Sequence, residues 1–261
     1  MDLSVVIATI KPRDEIESFP YLKECAYDDY ELLVRDEYPV TRARNEGYRR
    51  ANTDKIVYLD DDSRPRDGYL SAAAETLESQ PAVAGLTVHP RDDVFAGQLT
   101  SHYDFGDEPG YVDHFWGCNM GLRREVLEDV GGWDERMGWG HEEKELADRV
   151  TEEYAIYYNP EMVVDHVYAE SLPDYWRKRY DLEKQIPYYL AKQGLSEPEM
   201  VVKIISDALD PTNYVARTPS VTLAKTGSRL VGTAGRLAGL YERRTETAEN
   251  QPPGTQSANE T

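Results

Sequence analysis

Short apolar runs alternate along the first third of the chain with segments of helical spacing. "LSVVIATI" (residues 3–10) is a β-branched run ending in a polar turn, "YELLVRD" and "DKIVYLD" repeat the pattern, and "TRARNEGYRRAN" (41–52) has helical periodicity. A shorter helical stretch covers residues 21–26. This strand–helix–strand rhythm predicts parallel strands joined by right-handed crossovers, with ligands bound beyond the carboxyl ends of the strands. Further on, "GYLSAAAETLESQ" predicts a helix and "AVAGLTV" a strand, followed by an irregular aromatic stretch, "DEPGYVDHFWGCNMG". "LRREVLEDV" reads as a short helix stopped by Gly131 and Gly132, and "HEEKELADRVTEEY" as a longer one. "AIYYN" and "MVVDHV" read as two strands, residues 173–194 as a helix kinked at Pro187, and "PEMVVKIISDALD" as another helix.

Three aspartates, Asp60, Asp61 and Asp62, follow the third strand directly. Adjacent like charges repel, so the trio points to a bound cation or donor rather than to stability. In an extended turn alternate side chains share a face, which pairs Asp60 with Asp62. Two such carboxylates suit a hard divalent ion that also holds phosphate oxygens. An acidic solvated loop is the bland alternative.

The chain has 261 residues, with 49 acidic against 29 basic and a net charge of −20. That balance excludes non-specific nucleic-acid binding. Only nine residues are lysine, and an acidic, lysine-poor composition resembles proteins of salt-loving archaea, whose self-repulsion is screened by concentrated salt. The two cysteines, Cys25 and Cys118, have no metal-site spacing and read as buried fillers. Neither a secretory leader nor a run of ~20 apolar residues is visible, so a cytoplasmic location is expected.

Five blocks in order, "SVVIAT", "ARNEG", "IVYLDDD", "GCNMGLRREVLEDVGGWDE" and "GHEEKELADR", resemble the inverting family 2 glycosyltransferases of the GT-A fold, over residues 3–167. The resemblance implies an α/β fold: a Rossmann-like, mostly parallel sheet flanked by helices, with a C-terminal helical extension. It implies a nucleotide-sugar donor, with UDP favoured, and a divalent metal, Mn²⁺ or Mg²⁺, held by Asp60 and Asp62 with His166 as a further ligand. Thr9, Asp36, Arg44, Asn45, Asp60 and Asp61 fall at donor-binding positions. Trp133, Asp134 and Trp139 fall on the acceptor side. "GHEEKELADR" supplies the base that takes the acceptor's proton, either Glu143 or Glu142, and a glutamate stands where the family's aspartate is usual. Two other blocks depart from the pattern: "RDEYPV" replaces the family's Asp-Asp-Gly-Ser after strand two, and Ala8 stands at a common proline.

Residues 218–244 reverse the charge balance. At helical spacing Lys225, Arg229, Arg236 and Arg243 cluster opposite Leu223, Leu230, Ala234, Leu237 and Tyr241. The segment is expected to touch the inner face of the membrane peripherally, or else to pack its apolar stripe on the catalytic domain. The expected organisation is a nucleotide-sugar half (1–105), an acceptor half (106–168), a helical extension (169–217), the amphipathic helix (218–244) and a disordered tail (245–261). A lipid-linked, dolichol phosphate-type glycan in protein glycosylation or surface-glycan assembly is the expected acceptor. The rival readings are a sugar nucleotidyltransferase and a non-catalytic sugar- or cation-binding relative.

Overall fold

The computed structural model describes residues 1–91, 105–216 and 218–249, with side chains up to residue 245. The chain divides into two compact units, Met1–Ser171 and the residues from Leu172 onward.

The first unit is built on one eight-stranded mixed sheet in the order β2-β1-β3-β7-β5-β8-β4, with β6 also paired to β8. The strands are β1 (Leu3–Ala8), β2 (Tyr30–Arg35), β3 (Lys55–Leu59), β4 (Arg64–Pro65), β5 (Ala82–Val88), β6 (Gly110–Val112), β7 (Asn119–Arg123) and β8 (Ile156–Asp165). Five of them (β1, β2, β3, β5 and β8) run in one direction, and β4, β6 and β7 oppose them. Helices α1 (Ser18–Glu24), α2 (Val40–Arg50), α3 (Tyr69–Ser79), α4 (Arg124–Asp129) and α5 (Glu142–Glu153) flank it. β1 and β3 are buried along nearly their whole length, which is why they read as unbroken apolar runs rather than alternating ones. Two apolar layers cover the two faces: Val6, Tyr58, Phe115, Met120, Trp133 and Leu146 belong to one, Val5, Leu59, Leu70, Leu77 and Val164 to the other.

Three elements differ from the sequence reading. The aromatic stretch expected to be irregular contains β6 and most of β7, whose last two residues, Leu122 and Arg123, were expected to open the following helix. The two strands expected after α5 are one strand, β8, which continues through Asn159 and Pro160 because its ladder with β5 shifts register between Gly85 and Leu86. Pro160 sits in that irregular stretch, where no ladder N–H is required of it. Asn119 plugs the irregularity from β7, donating to the carbonyls of Leu86 (3.0 Å) and Met162 (2.9 Å). A Cβ at Gly85 would collide with that asparagine.

In the second unit the single kinked helix is two, α6 (Leu172–Glu183) and α7 (Ile186–Lys192), with Pro187 in the first turn of α7, where its missing N–H does no harm. They are followed by α8 (Glu197–Leu209), closed at its start by a Ser196/Glu199 capping box, and by α9 (Pro219–Glu249). The expected disorder of 245–261 gives way to helix as far as Glu249 and beyond that lies outside the described residues.

Candidate active site at the carboxyl edge of β3

Register alone assembles the centre of the site. The antiparallel ladder between β3 and β7 ends with Leu59 opposite Asn119, so Asp60 and Cys118 leave the sheet side by side. After Asp60, Asp61 and Asp62 the chain turns back as β4, whose Arg64 pairs with Asp165, the residue before His166. The imidazole nitrogen Nε2 of His166 lies 3.3 Å from Asp62 Oδ1. Donor atoms of Asp60, Cys118 and His166 all fall within 4.8 Å of one another.

Each aspartate has a different environment. Asp61 accepts from the Thr9 hydroxyl, and the Lys11 ammonium approaches its other oxygen at 2.6 Å. Asp61 thereby ties the trio to the end of β1. Asp60 lies 3.2 Å from Arg44 Nη2, and burial pushes its carboxyl above the ordinary range, against the opposing pull of Arg44 and His166. The Ser18 hydroxyl donates to the carbonyls of Asp60 (3.1 Å) and Asp61 (3.0 Å), fixing the turn from beneath.

Arg44 is the centre of the charge network. It projects from α2, is 3 % exposed, and bridges two elements: Nη2 faces Asp60 and Nη1 donates to Glu142 Oε1 at 2.8 Å. Its guanidinium lies over the indole of Trp133, 4.6 Å from the ring centroid. Gly117 has no side chain because Arg44 Nη2 fills the space a Cβ would need.

Glu142 and Glu143 open α5, where carboxylates complement the positive end of the helix. Gly140 and His141 precede them at φ 112° and 63°, turning the chain sharply into the helix. Both oxygens of Glu142 are engaged, Oε1 by Arg44 and Oε2 by the Gly140 N–H at 2.5 Å. Glu143 is half-buried, and desolvation followed by the adjacent Glu142 charge raises its carboxyl well above the ordinary value. A carboxylate with both oxygens bound to protein partners is fixed in position. One whose charge is disfavoured holds a proton more tightly.

The remaining sequence candidates divide. Asn45 is buried in α2, and its amide is saturated by the loop before α5: it donates to the Trp133 carbonyl and to Glu135 Oε1, and accepts from the Trp133 N–H, each at 2.9 Å. It anchors the loop instead of pointing into the cleft. Trp133 is 2 % exposed, edge-on to Tyr58 and capped by Arg44, so its faces are covered by protein. Trp139, 41 % exposed, presents an open indole. Asp134 pairs with Arg136 at 3.0 Å. Asp36 is exposed after β2, outside the cluster around Asp60.

Two residues near the site were not singled out by the sequence. Lys11 lies in a turn that carried no recognisable phosphate loop, and Cys118 was read as filler. Cys118 is indeed buried, but beside Asp60 and His166. Its only sequence signal is its place immediately before the short strand β7, itself hidden in an aromatic stretch. Asp60 and His166 belong to that cluster and Asp62 reaches it only through His166, and a carboxylate and an imidazole beyond the strand ends, with a second carboxylate beside the imidazole, suit Mn²⁺.

Comparison with known proteins agrees with this architecture. The profile of glycosyl transferase family 2 matches residues 21–131, and that of the N-terminal domain of galactosyltransferase matches residues 101–169. Glucosyl-dolichyl phosphate glucuronosyltransferase of Haloferax volcanii is 27 % identical over 124 residues, which cover 42 % of this chain and 40 % of that protein. The match therefore spans well under half of that relative's length. Among solved structures, the mannosyltransferase of Pyrobaculum calidifontis in complex with GDP-Man and Mn²⁺ aligns over 97 % of this chain and 76 % of its own, at 16 % identity and a TM-score of 0.51. Residues 1–349 of S. aureus TarS align over 94 % and 92 %, at 12 % identity and a TM-score of 0.52. Identities this low show a shared fold.

Proposed function

We propose that this chain, which matches the family 2 glycosyltransferase profile over residues 21–131 and has the GT-A fold, catalyses inverting transfer of a sugar from a nucleotide donor, UDP-linked in the first instance, to a lipid-linked acceptor. The observation that carries this reading is the Arg44 bridge, which holds the Asp60 carboxylate and the Glu142/Glu143 turn on opposite sides of one guanidinium.

The division of labour follows from the environments. Asp60, Asp62 and His166 would hold the divalent ion, which when bound supplies Lewis-acid neutralisation of the leaving nucleoside diphosphate. Thr9, Asp61 and Lys11 brace the donor side of the cleft. Glu143 is the general base: it takes the proton of the acceptor hydroxyl as that oxygen attacks the anomeric carbon. Glu142, locked between Arg44 and the Gly140 N–H, positions the turn that carries Glu143. Asn45 fixes the loop that bears Trp139, and the exposed indole is suited to stacking on a sugar face of the acceptor.

The resemblance to the Haloferax glucosyl-dolichyl phosphate glucuronosyltransferase supports a dolichol phosphate-type acceptor. Among the described residues no helix is long and apolar enough to cross a membrane. Leu223, Leu230, Leu237 and Tyr241 nevertheless stand exposed along α9, which supports peripheral contact with a lipid surface at the inner membrane face.

The test is a panel of UDP- and GDP-sugars assayed with Mn²⁺ or Mg²⁺ in concentrated salt for binding and for slow donor hydrolysis. One donor should bind in a metal-dependent manner. Asp62→Asn should lose that binding, whereas Glu143→Gln should keep it without turnover. Failure of every donor to bind the folded wild-type protein would sink the transferase reading.

A further inference from the structure

Cys118 stands where a metal ligand would. The three donor groups Asp60, Cys118 and His166 come from three different elements: the end of β3, the start of β7 and the end of β8. Each is held by its backbone. The Ser63 hydroxyl donates to the Cys118 carbonyl at 3.0 Å, clipping the thiol-bearing turn to the turn that follows the aspartates. The His166 N–H donates to the Val88 carbonyl at 2.9 Å, fixing the imidazole at the end of β5. The Asp60 carbonyl accepts from the Ser63 N–H at 3.1 Å. The thiol has one weak neighbour, Thr87 Oγ1 at 3.8 Å, and is otherwise enclosed.

The geometry points to a second use of this cluster: we propose that Asp60, Cys118 and His166 form a mixed-donor tripod that binds a thiophilic divalent cation, Zn²⁺ or Co²⁺, without nucleotide. A tetrahedral ion with metal–ligand bonds near 2.0–2.3 Å keeps its ligand atoms about 3.5 Å apart, so side-chain adjustments of about 1 Å close the observed 4.8 Å tripod around it. One S-bearing, one N-bearing and one O-bearing ligand leave the fourth position open, and the soft sulfur discriminates against Mg²⁺. On binding, the S–H bond breaks, the sulfur–metal bond forms, and the thiol proton passes to solvent. Two of the three ligands, Asp60 and His166, are also the ones assigned above to the donor's Mn²⁺ or Mg²⁺. Occupancy by zinc therefore competes with the productive ion, and zinc acts as an inhibitor of donor binding.

The inference stands on the placement of three donor atoms and not on the identity of the transferred sugar, so the two readings fail separately. The experiment is a Co²⁺ titration of the full chain in the absence of nucleotide, followed in the near-ultraviolet for the thiolate-to-cobalt charge-transfer band. The band should saturate at one ion per chain and be bleached by Zn²⁺ but not by excess Mg²⁺. It should vanish in Cys118→Ser and persist in Cys25→Ser, since Cys25 lies apart from the cluster on α1's C-terminal side. Because even outer-shell changes at metal sites weaken binding about 10-fold or more, His166→Ala should lower Co²⁺ affinity by at least about that factor. Circular dichroism of each variant verifies that it is folded. No band in the folded wild-type protein, or a band that survives Cys118→Ser, overturns the proposal whatever the outcome of the donor panel.

Discussion

Glu142 and Glu143 are neighbours of one residue type, yet the structure gives them opposite properties. Arg44 and a backbone N–H occupy both oxygens of the first, while desolvation and the adjacent first glutamate make ionisation of the second unfavourable. The sign of the resulting pH dependence follows directly. A base must be deprotonated to act, and a raised value means that the active form appears only as pH climbs above the ordinary carboxylate range. The acid limb of the kcat profile should therefore lie well above the ordinary value of 4.5 for glutamate. Mutation of Glu142 to Gln removes the neighbouring negative charge and should move that limb toward lower pH, and an unmoved limb would assign the titration to another group. Arg44 makes the complementary prediction for stability. Truncating it leaves Glu142 buried with half its partners and Asp60 without its nearest cation. Arg44→Ala should lower the unfolding free energy by about 3–5 kcal/mol, read from urea denaturation. Arg44→Lys should recover only part of that loss, because an ammonium cannot face two carboxylates through one planar fork.

At the scale of elements, α9 shows how a local propensity misleads. Gly227, Gly235 and Gly239 weaken a helix in isolation. In the folded unit they are its packing face, since a Cβ at these positions would run into Trp176, the Tyr180 carbonyl and the Lys184 carbonyl respectively. Leu223, Leu230 and Leu237 face out, as the membrane-contact alternative requires, but neither sequence alternative anticipated that the small residues would form the inward face. Arg236, grouped by the wheel with the solvent-facing bases, is drawn inward to Glu183 and to Asp207 at 2.7 Å. Gly239→Leu should accordingly unfold or loosen the second unit, seen as lost helical circular dichroism and faster proteolysis, whereas Leu230→Ser should leave both unchanged. Equal behaviour of the two variants would refute the assigned faces. The same contrast explains what could be read from the chain. Asp60, Asp62 and the Glu142/Glu143 pair were legible because their signal is local, a few residues at fixed spacing after a strand or before a helix. β7 was not, because it is buried on both faces and a Cβ at Gly121 would crowd Leu77 and Val83 at 3.1 Å, leaving neither alternation nor a β-branched run. Cys118 and Lys11 were not, because their neighbours are set by sheet register and loop closure between residues far apart in the chain.

For the molecule as a whole, the charge of −20 on 261 residues is a term that acts against the compact state. Many arginines and lysines are already committed to specific partners, such as Lys55 to Asp2, Arg66 to Asp165 and Arg149 to Glu145. What remains is a surface excess of carboxylates whose mutual repulsion is greatest at low ionic strength. The Debye length falls from about 10 Å at 0.1 M salt to about 3 Å at 1 M, so concentrated salt removes most of that repulsion. It also weakens the exposed ion pairs, but such pairs contribute only about 0–1 kcal/mol each and offset little of the gain. The enclosed Arg44–Glu142 contact is screened far less and should persist. Unfolding midpoints measured from 0.1 M to molar KCl should therefore rise steadily. Neutralising exposed carboxylates outside the ion pairs, for example Asp28→Asn with Glu152→Gln, should shift the low-salt end of that curve upward and flatten it. A midpoint that falls with salt would mean that the exposed ion pairs, and not the net charge, govern the stability of this chain.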